Sequence, residues 1–204
     1  MYIPTIYKNE NQTEIRNFIH ENGFALLINQ VNGKPWATHI PLLLETNSEE
    51  KELLVGHLAL ENPQAQSLQN NSEVLAVFNG PHAYISSSWY DHENVPTWNY
   101  IAVHVYGIIR LLNYNETIVS LKKLVDKYEA QSQNPIRIED VSEKTMRQAR
   151  GIVAFEIAIT SIQAAKKLSQ NRDEKNYSTV ISELEKRNDY QSVSVAAEMK
   201  KCPR

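Results

Sequence analysis

The chain has 204 residues, of which 42% are hydrophobic and 22% charged, and its formal net charge is -3. This composition is typical of a globular protein with its own core and provides no bulk basic surface for nucleic acid. No apolar stretch approaches the ~20 residues of a membrane span, there is no signal-peptide pattern, and the single cysteine excludes an internal disulfide, so we expect a cytoplasmic protein.

The first half of the chain has the alternating patterns and turn signals of a β-meander. Asn32-Gly33 is its strongest hairpin signal, because both residues tolerate a positive φ. Asn62-Pro63 predicts a short helix with asparagine as the cap and proline at the first position. The elements predicted up to residue 112 are a helix over 11–22 and strands over 24–31, 36–44, 52–57, 74–78, 83–86 and 101–112.

After residue 112 the spacing of apolar residues becomes helical before one further strand. The elements predicted there are helices over 115–131 and 142–151, a strand over 152–162, a helix over 177–187, and a frayed helical tail from Gln191. The whole pattern predicts a mainly β, α+β fold, an antiparallel barrel with peripheral helices. We expect a barrel domain over 1–175, with inserted helices over 115–150, and a C-terminal helical extension over 176–204.

The segment over 79–100 concentrates aromatic residues, with two of the three tryptophans and three of the ten tyrosines. Gly80-Pro81 and Pro96 predict loop or strand-edge structure within it. Aromatic rings with polar tips suit a flat, partly polar ligand, and they equally suit a subunit interface. The density of aromatics over 84–100 predicts a homodimer.

Five segments together carry a family resemblance. They are Gly-Lys-Pro-Trp-Ala-Thr-His-Ile-Pro from residue 33, Gly-Pro-His-Ala-Tyr-Ile-Ser-x-Ser-Trp-Tyr from 80, Val-Pro-Thr-Trp-Asn-Tyr from 95, Ala-Val-His-Val-Tyr-Gly from 102 and Lys-Leu-Ser-Gln-Asn-Arg from 167. In this order they resemble the PaiB family of FMN-binding split-barrel proteins. The resemblance implies a split barrel that binds FMN at the boundary of a homodimer. It also implies negative regulation of sporulation and protease production, and it makes Trp98 a candidate cofactor contact.

The strand that begins at Trp36 is a candidate for holding the flavin ring. Pro41 removes a ladder donor, so this end is an edge or leaves the sheet. A free edge would offer backbone groups to the alternating donors and acceptors of isoalloxazine. From the residues alone a plain barrel strand is the stronger interpretation, whereas the resemblance favours cofactor binding by Thr38, His39 and Ile40.

Two further segments are candidates for the phosphate. His57, Leu58 and Ala59 lead from a strand into the predicted helix at Pro63, and helix N-termini attract anions, although such a turn is usually an ordinary capped helix.

The second phosphate candidate follows the last strand. The segment over 166–172 has three cations and three polar side chains in seven residues, so Lys167, Ser169, Gln170 and Arg172 could form an anion cradle or a solvated strand exit. With no pyrophosphate loop in the sequence, we expect FMN to bind better than FAD or riboflavin.

The sequence leaves enzyme activity open. It contains no Walker or Rossmann glycine pattern, no G-x-S-x-G elbow and no close metal-ligand spacing. A flavin-dependent redox protein or sensor is the first hypothesis. The alternative is a flavin-independent transcriptional regulator that binds DNA or a regulatory protein partner. Basic residues of the predicted helices over 115–151 are diluted by acidic ones, which is not typical of a recognition helix.

Overall fold

The computed structural model describes residues 1–202 and contains strands and helices in an α+β arrangement. The strands in this part of the chain are β1 Lys8–Asn9, β2 Phe24–Val31, β3 Lys34–Pro41, β4 Leu43–Thr46, β5 Glu52–Ala59, β6 Glu73–Ile85, β7 Thr97–Leu111 and β8 Ile152–Lys167. The α-helices are α1 Gln12–Glu21, α2 Pro63–Ser67, α3 Tyr114–Glu129, α4 Glu143–Met146, α5 Glu174–Lys186 and α6 Tyr190–Lys201.

The sheet order is β3-β2-β6-β7-β8-β5-β4, with β1 paired in addition to β8, so β3 and β4 are the strands at the two ends of this order. The β2–β3 hairpin runs from the pair Val31↔Lys34 to the pair Phe24↔Pro41. Its turn has φ values of 52° at Asn32 and 74° at Gly33, which confirms the predicted hairpin. These two positive φ values explain why asparagine and glycine stand there.

The strand predicted over 36–44 is two strands. β3 ends at Pro41, Leu42 is fully buried and donates its N–H to the Gly23 carbonyl at 2.8 Å, and β4 then pairs with β5. Proline cannot continue the hydrogen-bond ladder, so the chain leaves β2 at this point. The prediction of one continuous strand was therefore wrong.

The break predicted between the strands over 74–78 and 83–86 was also wrong, because β6 runs through Gly80 and Pro81 as a single strand of 13 residues. Gly80 is needed for close packing and does not form a turn. A Cβ built on it would lie 2.6 Å from Cε2 of Phe18. The aromatic ring therefore covers a strand position that only glycine can occupy without displacing it.

The chain divides into two compact units. Unit 1 contains residues 1–18, 78–104 and the described residues from 163 onward. Its core joins residues of β6 and β7 to both C-terminal helices, and Val180, Leu184, Val195 and Met199 are fully buried there. The predicted frayed tail is therefore wrong, since α6 is a packed helix. The division into domains at residue 175 stays a prediction.

Unit 2 contains residues 19–77 and 105–162. Fully buried side chains in it include Leu27, Leu54 and Ile157, and a smaller apolar cluster packs Leu43, Leu53 and Val55 against Leu124 of α3. Asn113 and Glu116 form a reciprocal capping box that fixes the start of α3. Among residues 1–202 no helix has the length and apolarity that crossing a membrane requires.

Candidate cofactor site

The outer edge of β3 is the first part of the candidate site, and it lies in unit 2. Successive residues of an antiparallel strand point their N–H and C=O alternately to either side, and no other strand of residues 1–202 pairs with the side away from β2. Pro35 and Pro41 carry no N–H, so free donors are confined to the backbone between Trp36 and Ile40. This stretch offers an alternating row of donors and acceptors.

The three predicted residues of β3 have three different environments. Thr38 Oγ1 accepts a hydrogen bond from Asn62 Nδ2 at 3.1 Å. His39 is exposed and stacks on Phe24, with ring centroids 5.9 Å apart and planes inclined by 23°. Ile40 is buried in the core. The free edge is thus flanked by a fixed hydroxyl and a flat aromatic pair.

The junction between β5 and α2 meets β3 through that Thr38 bond. Asn62 is also the N-cap of α2, where its side chain accepts the N–H of Gln64 at 2.9 Å. Leu58 is buried and Ala59 exposed, and burial lowers the pKa of the half-buried His57. His57 is consequently neutral near pH 7 and provides a donor without a charge.

The second group of candidates lies in unit 1, at the end of β8. The Lys167 ammonium donates to Thr97 Oγ1 and lies 5.7 Å from the centroid of the Tyr7 ring. Burial, and then the positive charge of Arg172, lower the pKa of Lys167. The positive charge of Arg172 thus acts unfavourably on the Lys167 ammonium, and a bound anion would relieve this repulsion. The neighbouring Lys166 is buried and pairs with the Glu14 carboxylate.

Ser169 and Gln170 hold the turn that positions these cations. Ser169 is buried with a φ of 60°, and its hydroxyl exchanges hydrogen bonds with the side chain of Asn99 at 3.0 and 3.1 Å. Gln170 folds back on the same turn, accepting the Leu168 N–H at 2.7 Å and donating to the Lys166 carbonyl. Their polar atoms shape the turn, and Lys167 and Arg172 are the charged groups of the segment besides Lys166, which is paired with Glu14.

Arg172 and Trp98 belong to the aromatic part of unit 1. The Arg172 guanidinium lies over the Tyr90 ring, 4.8 Å from its centroid. The Tyr90 hydroxyl is buried and has no hydrogen-bond partner within residues 1–202. Trp98 is 53% exposed, with the ring centroids of His82 and Tyr84 at 6.1 and 6.0 Å.

The Glu156 carboxylate in unit 2 accepts from Arg110 Nε at 2.6 Å. The sequence spacing alone could not assign this carboxylate, because the pairing of β7 with β8 decides which cation reaches it.

The loop that carries Tyr90 is anchored by Asp91. Its carboxylate accepts from Lys175 Nζ at 2.8 Å and from Asn176 Nδ2 and His92 Nδ1 at 2.9 Å. These bonds hold the pKa of Asp91 far below its usual range, with the Lys175 bond the largest cause. A carboxyl pKa that is lowered on folding adds stability above the unfolded pKa of about 4, and this stability is lost as the pH falls.

We therefore expect Asp91→Asn to lower stability at pH 6, and the difference from wild type to shrink below about pH 4. Urea unfolding at pH 6 and pH 3 measures it. Glu93→Gln, which neutralises an exposed carboxylate in the same loop, is the control and should show no such pH dependence. A constant deficit for Asp91→Asn at both pH values would contradict the anchoring role.

Comparisons with known proteins agree with this architecture. Residues 1–161 match the family described as "Putative FMN-binding domain". The chain is 45% identical over 186 residues to "Protease synthase and sporulation protein PAI 2" of Bacillus subtilis, which covers 91% of this chain and 89% of that protein.

Two solved structures are similar in fold. The flavocytochrome Anf3 from Azotobacter vinelandii has a TM-score of 0.64 at 14% identity, covering 87% of this chain and 78% of that one. The FAD and heme binding protein from Mycobacterium smegmatis has a TM-score of 0.63 at 13% identity, covering 84% and 78%. The predicted fold class, an α+β antiparallel split barrel, is confirmed.

The chain belongs to the PaiB family of FMN-binding split-barrel proteins. The predicted cofactor, FMN, is confirmed with it.

Proposed function

We propose that this chain is an FMN-dependent redox protein that works as a homodimer and reports its redox state to the control of protease production and sporulation. The observation that carries the proposal is the unpaired edge of β3, with its backbone donors confined between two prolines. When bound, FMN supplies reversible one- or two-electron transfer. The protein's contribution is to bind, orient and shield it.

The hydrogen-bonding groups along the edge of β3 fit the ring of FMN. The backbone between Trp36 and Ile40 matches the alternating acceptors and donors of the flavin's pyrimidine edge, and the Phe24–His39 pair offers a flat surface beside it. The hydrogen bond from Asn62 fixes the orientation of Thr38 before a ligand arrives. A preformed site of this kind costs little ordering on binding.

The charged groups at and after the end of β8 fit the phosphate of FMN. Lys167 and Arg172 supply two positive charges from the same segment, and the ring that Arg172 covers carries the Tyr90 hydroxyl, which has no hydrogen-bond partner within residues 1–202. Guanidinium and ammonium groups bind phosphate through charge-assisted hydrogen bonds. We assign Ser169 and Gln170 to shaping this cradle and His57 to an uncharged donor role.

Exposed apolar side chains support the homodimer. Trp98 is 53% exposed, Tyr84 39% and Val95 70%, and all three lie in the 84–100 region. Surfaces of this kind are typical of subunit contacts.

We expect light scattering to give a dimer at micromolar concentration. Trp98→Glu should shift the protein towards monomer, because it places a charge in the contact. Tyr190→Glu, at an 82% exposed position in α6, is the control and should leave the protein dimeric. A wild-type monomer would contradict the dimer.

The regulatory part of the proposal is supported by the name of the Bacillus subtilis relative, a protease synthase and sporulation protein. The basic residues of α3 give no support to direct DNA reading. Lys122 pairs with Glu139 at 2.5 Å, Lys123 pairs with Glu45 at 2.6 Å, and Lys127 donates to a backbone carbonyl. Because these charges are engaged, we favour a redox signal passed to another molecule over a flavin-independent DNA-binding regulator.

The test is to load the purified protein with FMN, reduce it with dithionite and readmit air while recording the absorption spectrum. Reversible bleaching of one flavin per chain is the expected result. In parallel, promoter DNA is titrated against the protein over a range of salt concentrations. A colourless protein that takes up no flavin and binds the DNA in a salt-dependent manner would overturn the proposal.

A further inference from the structure

Unit 2 contains a cavity that lies outside the candidate cofactor site. It has a volume of about 360 Å³ and lies between α3 and the strands β4, β5, β7 and β8. None of its lining residues is among the residues assigned to FMN. Its volume falls within the range of small-molecule sites.

The floor of the cavity is apolar. Leu53 and Val55 of β5 are buried beneath it, while Leu112 and the partly exposed Val119 of α3 form its side and mouth. These aliphatic side chains would cover the apolar body of a ligand and remove it from water, which is favourable in proportion to the area buried.

The rim of the cavity carries an excess of negative charge. Arg110 donates from Nε to Glu156 at 2.6 Å and from Nη1 to Glu116 at 2.8 Å, and Lys123 donates to Glu45 at 2.6 Å. Three carboxylates thus face two cations, and both cations are already paired. An anion entering this rim would have to compete with these carboxylates.

Two of the carboxylates keep an oxygen available. Arg110 uses Oε1 of Glu156, and Lys123 uses Oε2 of Glu45. Within residues 1–202 the second oxygen of each has no hydrogen-bond partner. Carboxylate oxygens only accept hydrogen bonds. A positively charged hydrogen-bond donor is therefore the group that complements them.

We propose that this cavity binds a small organic cation, a primary ammonium carried on an apolar body. The ammonium has three donors and no acceptor, which matches the free oxygens of Glu45 and Glu156. The apolar body lies on Leu53 and Val55. This site is independent of the proposed flavin function, because it uses other residues.

The experiment uses FMN-loaded protein and three matched probes, 2-cyclohexylethylamine, 2-cyclohexylethanol and cyclohexylacetate, which are cationic, neutral and anionic at neutral pH. None has an aromatic ring that could replace the flavin. In calorimetric titrations at low salt we expect saturable binding of the amine, about tenfold tighter than the alcohol, with the carboxylate weakest.

Glu45→Gln locates the site. We expect it to weaken amine binding about tenfold and to change alcohol binding by less than about twofold, since only the charge interaction is lost. Glu49→Gln is the matched control, because Glu49 pairs with Lys51 at 2.9 Å on the exposed surface outside the cavity. It should leave both affinities unchanged. Flavin content is recorded in every sample, so failure of the amine site is distinguishable from failure of FMN binding.

A second variant, Val119→Trp, places a large ring at the exposed mouth and should weaken both amine and alcohol. The proposal is overturned if cyclohexylacetate binds as tightly as the amine, if no saturable amine binding occurs, or if amine affinity is the same in wild type and Glu45→Gln.

Discussion

Replacing Leu184 by alanine should lower the free energy of unfolding by about 2–5 kcal/mol, because the side chain is fully buried and its removal leaves a cavity. Leu184 of α5 packs with Val195 and Met199 of α6 in the core of unit 1. Urea unfolding at a fixed protein concentration measures the loss. Val193→Ala, at a 42% exposed position of α6, is the control and should cost less than about 0.5 kcal/mol.

The two variants distinguish a packed C-terminal hairpin from a loosely attached one. If α6 were frayed in solution, Leu184 would lose much of its packing and the two variants would have similar, small effects. A large loss for Leu184→Ala with no change for Val193→Ala supports a core that includes both helices.

Replacing Arg172 by alanine should weaken FMN binding by about 1.5–3 kcal/mol, the usual range for a hydrogen bond to a charged group. The expected loss of folding stability is smaller, about 0.5–1 kcal/mol, for the stacking of its guanidinium on Tyr90. Flavin fluorescence titration gives the affinity and thermal unfolding the stability, each measured on the same preparation.

Arg187→Ala is the matched control, because Arg187 also stacks on an aromatic ring, that of Trp89, at 4.5 Å. It is not assigned to the phosphate and should leave FMN affinity unchanged. Riboflavin, which lacks the phosphate, gives a second control, since Arg172→Ala should not weaken its binding. Lost stability with unchanged FMN affinity would make Arg172 a structural clamp instead.

Features set by local chemistry could be predicted from the sequence. The Asn32-Gly33 turn fixed the β2–β3 register, and Asn62 was predicted and found as a helix cap. Gly80 was misread because the reason for a glycine there is the Phe18 ring, which is distant in sequence. Local signals indicate that a glycine matters, but they do not say whether a turn or close packing requires it.

The sequence predicted which residue types form the candidate site, but it did not predict which side chains they contact. The polar side chain of Ser169 is taken up by Asn99, 70 residues away, which no local pattern indicates. Phe24 was missed as a possible flavin-side residue because an exposed ring at a strand end looks ordinary. The hairpin register could have identified it, since pairing Phe24 with Pro41 makes His39 its diagonal neighbour across the strands.

The most direct test of the central claim is to compare the binding of FMN and riboflavin to the purified, flavin-free protein, with the bound ligand released and identified by mass. We propose that the free edge of β3 holds the ring that both ligands share and that Lys167 and Arg172 contact only the phosphate, which riboflavin lacks. We expect one FMN per chain and an affinity at least about tenfold higher than for riboflavin. Equal affinities, or no uptake of either flavin, would contradict this account.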